Sequence, residues 1–138
     1  MKRGSQHDMQ ARPVEVPSSA GGLAGELVMG PSARGLVVFA HGSGSGAKSP
    51  RNRFVAETIQ SQGIATLLFD LLTDEEQEKV SKRFDISLLT QRLLGAITWL
   101  GRDNDMKDLP LGLFGASTGA AAALRAAAAL DGLVQAVV

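Results

Sequence analysis

The chain predicts an α/β fold in which a mostly parallel sheet carries helices on both faces. Two observations carry this. Short continuous apolar runs at residues 35–40, 64–69 and 109–114 read as strands buried on both faces, as in a parallel sheet. Stretches with helical periodicity and recognisable starts and stops alternate with them, which implies right-handed crossovers and helices on both sides.

Each element has a local cause. Residues 1–12 read as a disordered tail or linker, and residues 13–138 as the domain. Val14-Glu15-Val16 begins a short strand and residues 23–29 form a second, with Gly21-Gly22 turning the chain into an antiparallel hairpin at one sheet edge. Gly30-Pro31-Ser32 breaks the chain before the first buried strand. Ser49 is an N-cap, Pro50 the first helical residue and Gly63 the C′ glycine of a helix with Phe54, Val55 and Ile59 as its apolar stripe. The strand at 64–69 ends at Asp70. Thr73 and Glu76 fit a capping box for a short helix in the charged segment that follows. Ile86, Leu89, Leu93, Ile97 and Leu100 mark one face of a long amphipathic helix ending near Gly101. Residues 102–108 read as a polar loop, 109–114 as a strand, 120–130 as an alanine-rich helix that packs tightly on the sheet, and 133–138 as a last, buried strand. No internal repeat is visible.

Composition narrows the function classes. With 138 residues the chain is long enough for one domain with a real core. Lys plus Arg and Asp plus Glu both number 14, so nothing in the charge points to nucleic acid or an anionic membrane as partner. The absence of cysteine excludes disulfides, thiolate metal sites and a cysteine nucleophile, and no metal site is expected. The first ten residues hold no apolar segment of a signal peptide, and no apolar run approaches a membrane span. The default expectation is a cytoplasmic protein.

The chemistry lies at two strand ends. Gly115-Ala116-Ser117-Thr118-Gly119 reads G-x-S-x-G between a strand and a helix. A serine on such a sharp turn projects its hydroxyl from the sheet edge. The strained backbone there needs small residues two positions to either side, where strand and helix converge. His41-Gly42-Ser43-Gly44-Ser45-Gly46 follows the first buried strand and opens on the same carboxyl edge. Acyl transfer needs donors aimed at a developing oxyanion; the Thr118 and Ser43 backbone amides are the candidates. The glycines at 42, 44 and 46 allow close backbone approach. Asp70 also reaches this edge, where it either orients a group or is an ordinary strand-end carboxylate.

Residues 38–45, 49–52 and 114–120 together resemble the α/β-hydrolase superfamily, and within it the dienelactone-hydrolase-like group. The resemblance spans about residues 14–138. It implies hydrolysis of a carboxylic ester, lactone or related acyl substrate through an acyl-enzyme on Ser117, with no cofactor. It also implies a structural role for His41, whose ring braces the oxyanion loop. Relatives of this type occur fused behind a phosphoribosyltransferase domain, which fits the linker-like start.

The chain departs from that pattern after the nucleophile. The superfamily order is nucleophile, acid, histidine. Here 21 residues follow Ser117, with Asp131 as the one acid and no histidine. Asp131 lies at the far end of the elbow helix, His7 lies in the tail, and His41 belongs to the loop motif, so none is a good triad member. Domains of this kind commonly run to about 200–250 residues. The expectation is therefore an N-terminal portion, truncated after the nucleophile helix, inactive at this length, with an unpaired last strand that favours self-association.

Two rival readings fit parts of the chain. One is a catalytically silent hydrolase-fold protein that binds a small acyl ligand. The other is a nucleotide-binding domain, because Gly42 to Ser49 approaches G-x-x-x-x-G-K-[ST], with Lys48 and Ser49 as phosphate and magnesium ligands. Ala47 stands where that pattern needs glycine, and Pro50 removes an amide from the helix start.

Overall fold

The computed structural model describes residues 9–42 and 46–138. Its elements are β1 (Gln10–Val16), β2 (Leu23–Met29), β3 (Leu36–Ala40), α1 (Pro50–Gln60), β4 (Ala65–Phe69), α2 (Asp74–Gln77), α3 (Val80–Arg83), α4 (Ile86–Leu100), β5 (Leu111–Gly115), α5 (Thr118–Ala129) and β6 (Val134–Val137). Six strands form one sheet in the order β1-β2-β4-β3-β5-β6. β4, β3, β5 and β6 run parallel, while the β1–β2 hairpin joins antiparallel through β2 and β4.

Alternation along the central strands divides the interior in two. Leu36, Val38 and Ala40, Ala65, Leu67 and Phe69, and Leu111 and Leu113 face α4 and α5. Phe39 and Leu68, with half-buried Val37 and Phe114, face α1, and the rings of Phe39 and Phe114 meet at 5.0 Å. Both faces of the central parallel strands β3, β4 and β5 are thus covered, as their unbroken apolar composition requires. Ala122, Ala123 and Ala126 are fully buried, so the alanine-rich α5 lies close against its neighbours.

The local signals for helix ends are mostly realised. Ser49 caps α1 through the Asn52 amide and Pro50 opens the helix. Asp85 caps α4, and Gly101 ends it. The Thr73–Glu76 capping box forms in full, although the charged segment makes two short helices rather than one.

Five expectations are corrected. β1 starts at Gln10, not Val14, because residues 10–12 pair with Leu27, Val28 and Met29 of β2. Phe54 is 70% exposed; α1 instead buries Asn52 and Ala56, four residues apart and small enough to lie close to the sheet. Gly63, at φ +79°, reverses the chain one residue later than the C′ position. Tight bonds from Gln62 N–H to Ile59 O and from Gly63 N–H to Gln60 O prolong the helix end. Met106 in the polar loop is buried in the core beside α4 and β5. β6 is an exposed edge strand with a register shift against β5, not a buried one, since nothing among the described residues covers its outer side.

An unexpected buried charge ties α4 to the segment after β4. Arg92 Nη1 and Nη2 donate to Glu76 Oε1 and Oε2, both at 2.8 Å, and Nη1 also reaches Leu71 O at 3.0 Å. The two side chains are 5% and 17% exposed. The arginine fork, with help from the Thr73 amide and hydroxyl, lowers the Glu76 carboxyl from 4.5 to about 2. A depressed carboxylate stabilises the fold above its unfolded value and loses that contribution as the pH falls. Between pH 4.5 and about 2 the protein should therefore lose stability on the order of 2–3 kcal/mol at this site. Urea midpoints across that range should show this slope in the wild type and a flatter one in Glu76→Gln; parallel profiles would contradict it.

Candidate functional site

The carboxyl ends of β3 and β5 bring the two motifs into contact. Ser117 has φ 56° and ψ −126° and is the one non-glycine residue with positive φ among those described. An L-residue held there stores strain that its surroundings must hold in place. Ser117 occupies the N-cap of α5, yet its hydroxyl makes no capping bond. A serine at that position ordinarily accepts from an amide of the first turn. Here the hydroxyl stands exposed and has no hydrogen-bond partner among the described residues.

Close backbone approach explains the flanking glycines. A Cβ on Gly119 would run into the carbonyl groups of Ala40 and His41. One on Gly115 would lie 2.7 Å from Ala120 Cα and Gly119 O, and one on Gly42 would lie 2.8 Å from Ser117 Cβ. Ala116 N–H donates to Ala40 O at 3.2 Å, which joins the elbow to the end of β3.

Thr118 is the first residue of α5, so its amide points out of a helix N-terminus with no acceptor among the described residues. Such an amide carries the positive end of the helix dipole and suits a developing negative charge. The Thr118 hydroxyl is buried and also lacks a partner among those residues. Ser43 and Gly44, the other proposed members of the oxyanion loop, lie outside the described residues, as does His7.

His41 is 5% exposed and both ring nitrogens are engaged. Nε2 accepts the Leu71 N–H at 2.8 Å, so the proton sits on Nδ1, which donates to Gly42 O at 3.0 Å. Burial lowers its pKa from the ordinary 6.5, against smaller opposing effects of the Gly42 carbonyl and the Asp70 charge. Held at both ends, the ring has no free nitrogen for a further hydrogen bond. Asp70 Oδ1 accepts the Ala47 N–H at 2.8 Å, and a Cβ on Gly46 would strike that same oxygen. Residues 70 and 71 thus hold both shoulders of the loop that follows β3.

Other sequence candidates lie apart. Asp131 follows the far end of the 12-residue α5, about 18 Å along the helix from Ser117. Ser49 uses its hydroxyl to cap α1, and the Ala47 amide is taken by Asp70, so neither is available in the manner of a phosphate loop. Among the described residues no cluster of His, Asp and Glu could hold a metal ion, and no helix is long and apolar enough to cross a membrane. Arg92 was not legible as a site neighbour. Its one sequence signal is a charge on the apolar face of α4, next to Leu93 and one turn from Leu89.

A strand–serine–helix elbow beside a glycine loop, on a parallel sheet with an antiparallel hairpin edge, defines an α/β-hydrolase fold. Comparison with known proteins agrees. The chain superposes on a dienelactone hydrolase from Anabaena variabilis ATCC 29413 with a TM-score of 0.87 and 51% identity, covering 95% of this chain and 62% of that one. A dienelactone hydrolase-like promiscuous phosphotriesterase from metagenomic libraries shares the fold at a TM-score of 0.75 and 19% identity, over 94% of this chain and 58% of that one. The chain thus has the α/β-hydrolase fold and is similar over its length to dienelactone hydrolases. Two Mycobacterium tuberculosis proteins, from strains CDC 1551 and H37Rv, are 53% identical over 115 residues and carry a provisional name as phosphoribosyl transferases. That match covers 83% of this chain and 26% of each relative, so the chain spans about a quarter of their length. No family model matches the chain.

The close approaches predict a contrast between two glycines. Gly119→Ala should cost about 3 kcal/mol or more, because backbone carbonyls cannot move aside as a side chain can. Gly95→Ala, in the middle of α4 with open space around it, should instead add about 0.5–1 kcal/mol. Urea unfolding of the two variants measures this, and a Gly119→Ala variant as stable as wild type would refute the packing account.

Proposed function

We propose that the protein is a serine hydrolase of carboxylic esters, lactones or related acyl compounds. In this reading Ser117 Oγ attacks the carbonyl carbon and its proton passes to a general base. The tetrahedral oxyanion is held by the Thr118 amide and by an amide of the loop after β3, with that of Ser43 as the candidate. As the intermediate collapses, the base returns that proton to the leaving oxygen. That oxygen departs as an alcohol or, from a lactone, stays on the acyl chain as a hydroxyl, and water then hydrolyses the acyl-enzyme.

The observation that carries the reading is the conformation of Ser117: strained, exposed, and uncapped although it sits at a helix N-cap. The neighbours support it, since the Anabaena relative is a dienelactone hydrolase at 51% identity. His41 is committed to Leu71 and Gly42, so the base comes from outside the described residues.

The same commitment of His41 favours a second reading, a silent hydrolase fold that binds an acyl ligand without turning it over. A panel of aryl esters and small lactones, offered to the protein as its native gene encodes it, separates the two. Turnover by wild type and its loss by a factor of roughly 10³ or more in a folded Ser117→Ala variant is the expected result. Equal turnover in Ser117→Ala would remove the nucleophile assignment; binding without turnover in wild type would favour the silent fold.

A further inference from the structure

We infer that Arg92 is a positioning residue for the nucleophile, acting from α4 through Leu71 and His41 on Gly42, which rests against Ser117. The inference depends on the hydrolase reading above for its catalytic consequence.

The contacts form an unbroken series. Glu76 fixes the guanidinium with two parallel bonds of 2.8 Å, and Arg92 Nη1 holds Leu71 O at 3.0 Å. On its other side, the Leu71 N–H is held at 2.8 Å by His41 Nε2. That bond selects the tautomer in which His41 Nδ1 donates to Gly42 O, at 3.0 Å. Gly42 then lies so near Ser117 that a methyl group at 42 would come within 2.8 Å of Ser117 Cβ. Both faces of residue 71 are therefore clamped, and the clamp has the reach of the oxyanion loop. Asp70 adds a second tie on the same loop through the Ala47 amide.

Fold stability alone does not call for this arrangement. Arg92 lies on the apolar face of α4 beside Leu89, Leu93 and Ala96, where a leucine or methionine would fill the space without desolvating two charges. A rigid planar fork is suited to fixing one backbone carbonyl in place. Lysine keeps the charge and three donors but places them on one nitrogen, without the planar fork that spans both Glu76 oxygens and the Leu71 carbonyl.

The test uses Arg92→Lys and Glu76→Gln in the protein as its native gene encodes it, with Ile97→Val on the same helix as a control for lost stability. Two-bond ¹H–¹⁵N correlations of the His41 ring read its tautomer without any substrate, and ester hydrolysis reads kcat and KM. Arg92→Lys should give a mixed tautomer and a kcat lowered by about tenfold to a hundredfold at nearly unchanged KM. Glu76→Gln, which is isosteric, should shift both in the same direction by less, and it decides the matter if Arg92→Lys does not fold. Ile97→Val should lower the melting temperature and leave tautomer and kcat as in wild type. A single wild-type tautomer with wild-type kcat in folded Arg92→Lys, or in Glu76→Gln when Arg92→Lys does not fold, would overturn the inference. If wild type shows no turnover, the hydrolase reading fails by itself, and the ring tautomer still decides whether Arg92 sets the loop.

Discussion

The carbonyl groups of Ala40 and His41 stand where a side chain on residue 119 would have to be, and the rest of the site depends on that contact. Because Gly119 has no Cβ, the first turn of α5 can lie against the end of β3. That approach brings the elbow beside the glycine loop and forces Ser117 into the left-handed half of the backbone map. Gly115 permits the same convergence from the strand side, where its neighbours are Ala120 and Gly119. Strain at one residue is thus held by packing at two others. A serine that would otherwise cap a helix is left with its hydroxyl free.

Around this contact the polar groups are arranged to hold rather than to react. His41 is buried, neutral and bonded at both nitrogens; Asp70 is turned onto the Ala47 amide; Glu76 and Arg92 neutralise each other beneath them. Desolvating that ion pair is costly, and its bidentate geometry together with the capping box around Glu76 offsets the cost. Among the described residues the buried side-chain polar atom left without a partner is the Thr118 hydroxyl, and the uncapped Ser117 hydroxyl and the Thr118 amide lie beside it. Satisfied polar atoms surround unsatisfied ones, which is the distribution expected where a ligand completes the hydrogen bonding.

Much of this was legible in the chain because the signals were local. Unbroken apolar runs marked β3, β4 and β5, Ser49-Pro50 and the Thr73–Glu76 pair marked helix starts, and G-x-S-x-G between a strand and a helix marked the elbow. What escaped was decided by partners distant in sequence. Gln10 to Arg12 look like a polar tail until β2 supplies their hydrogen bonds. Phe54 looks like the core of α1 until the sheet selects the smaller Asn52 and Ala56. Arg92 stands as a lone charge on the apolar face of α4, and the groups that account for it, Glu76 and the Leu71 carbonyl, are 16 and 21 residues away. Met106 reads as loop for the same reason. His41 reads as a brace for the loop, but spacing does not say how its ring is held; the Leu71 N–H, which Nε2 accepts, places the proton on Nδ1.

The most direct measurement is reaction of the native protein with a fluorophosphonate, followed by intact mass and peptide mapping. The reagent phosphonylates only a serine whose hydroxyl is both exposed and activated. The account predicts one adduct per chain, on the peptide containing Ser117, and none after Ser117→Ala. A folded protein that takes up no reagent, or carries it on another serine, would contradict the claim that this elbow presents a nucleophile.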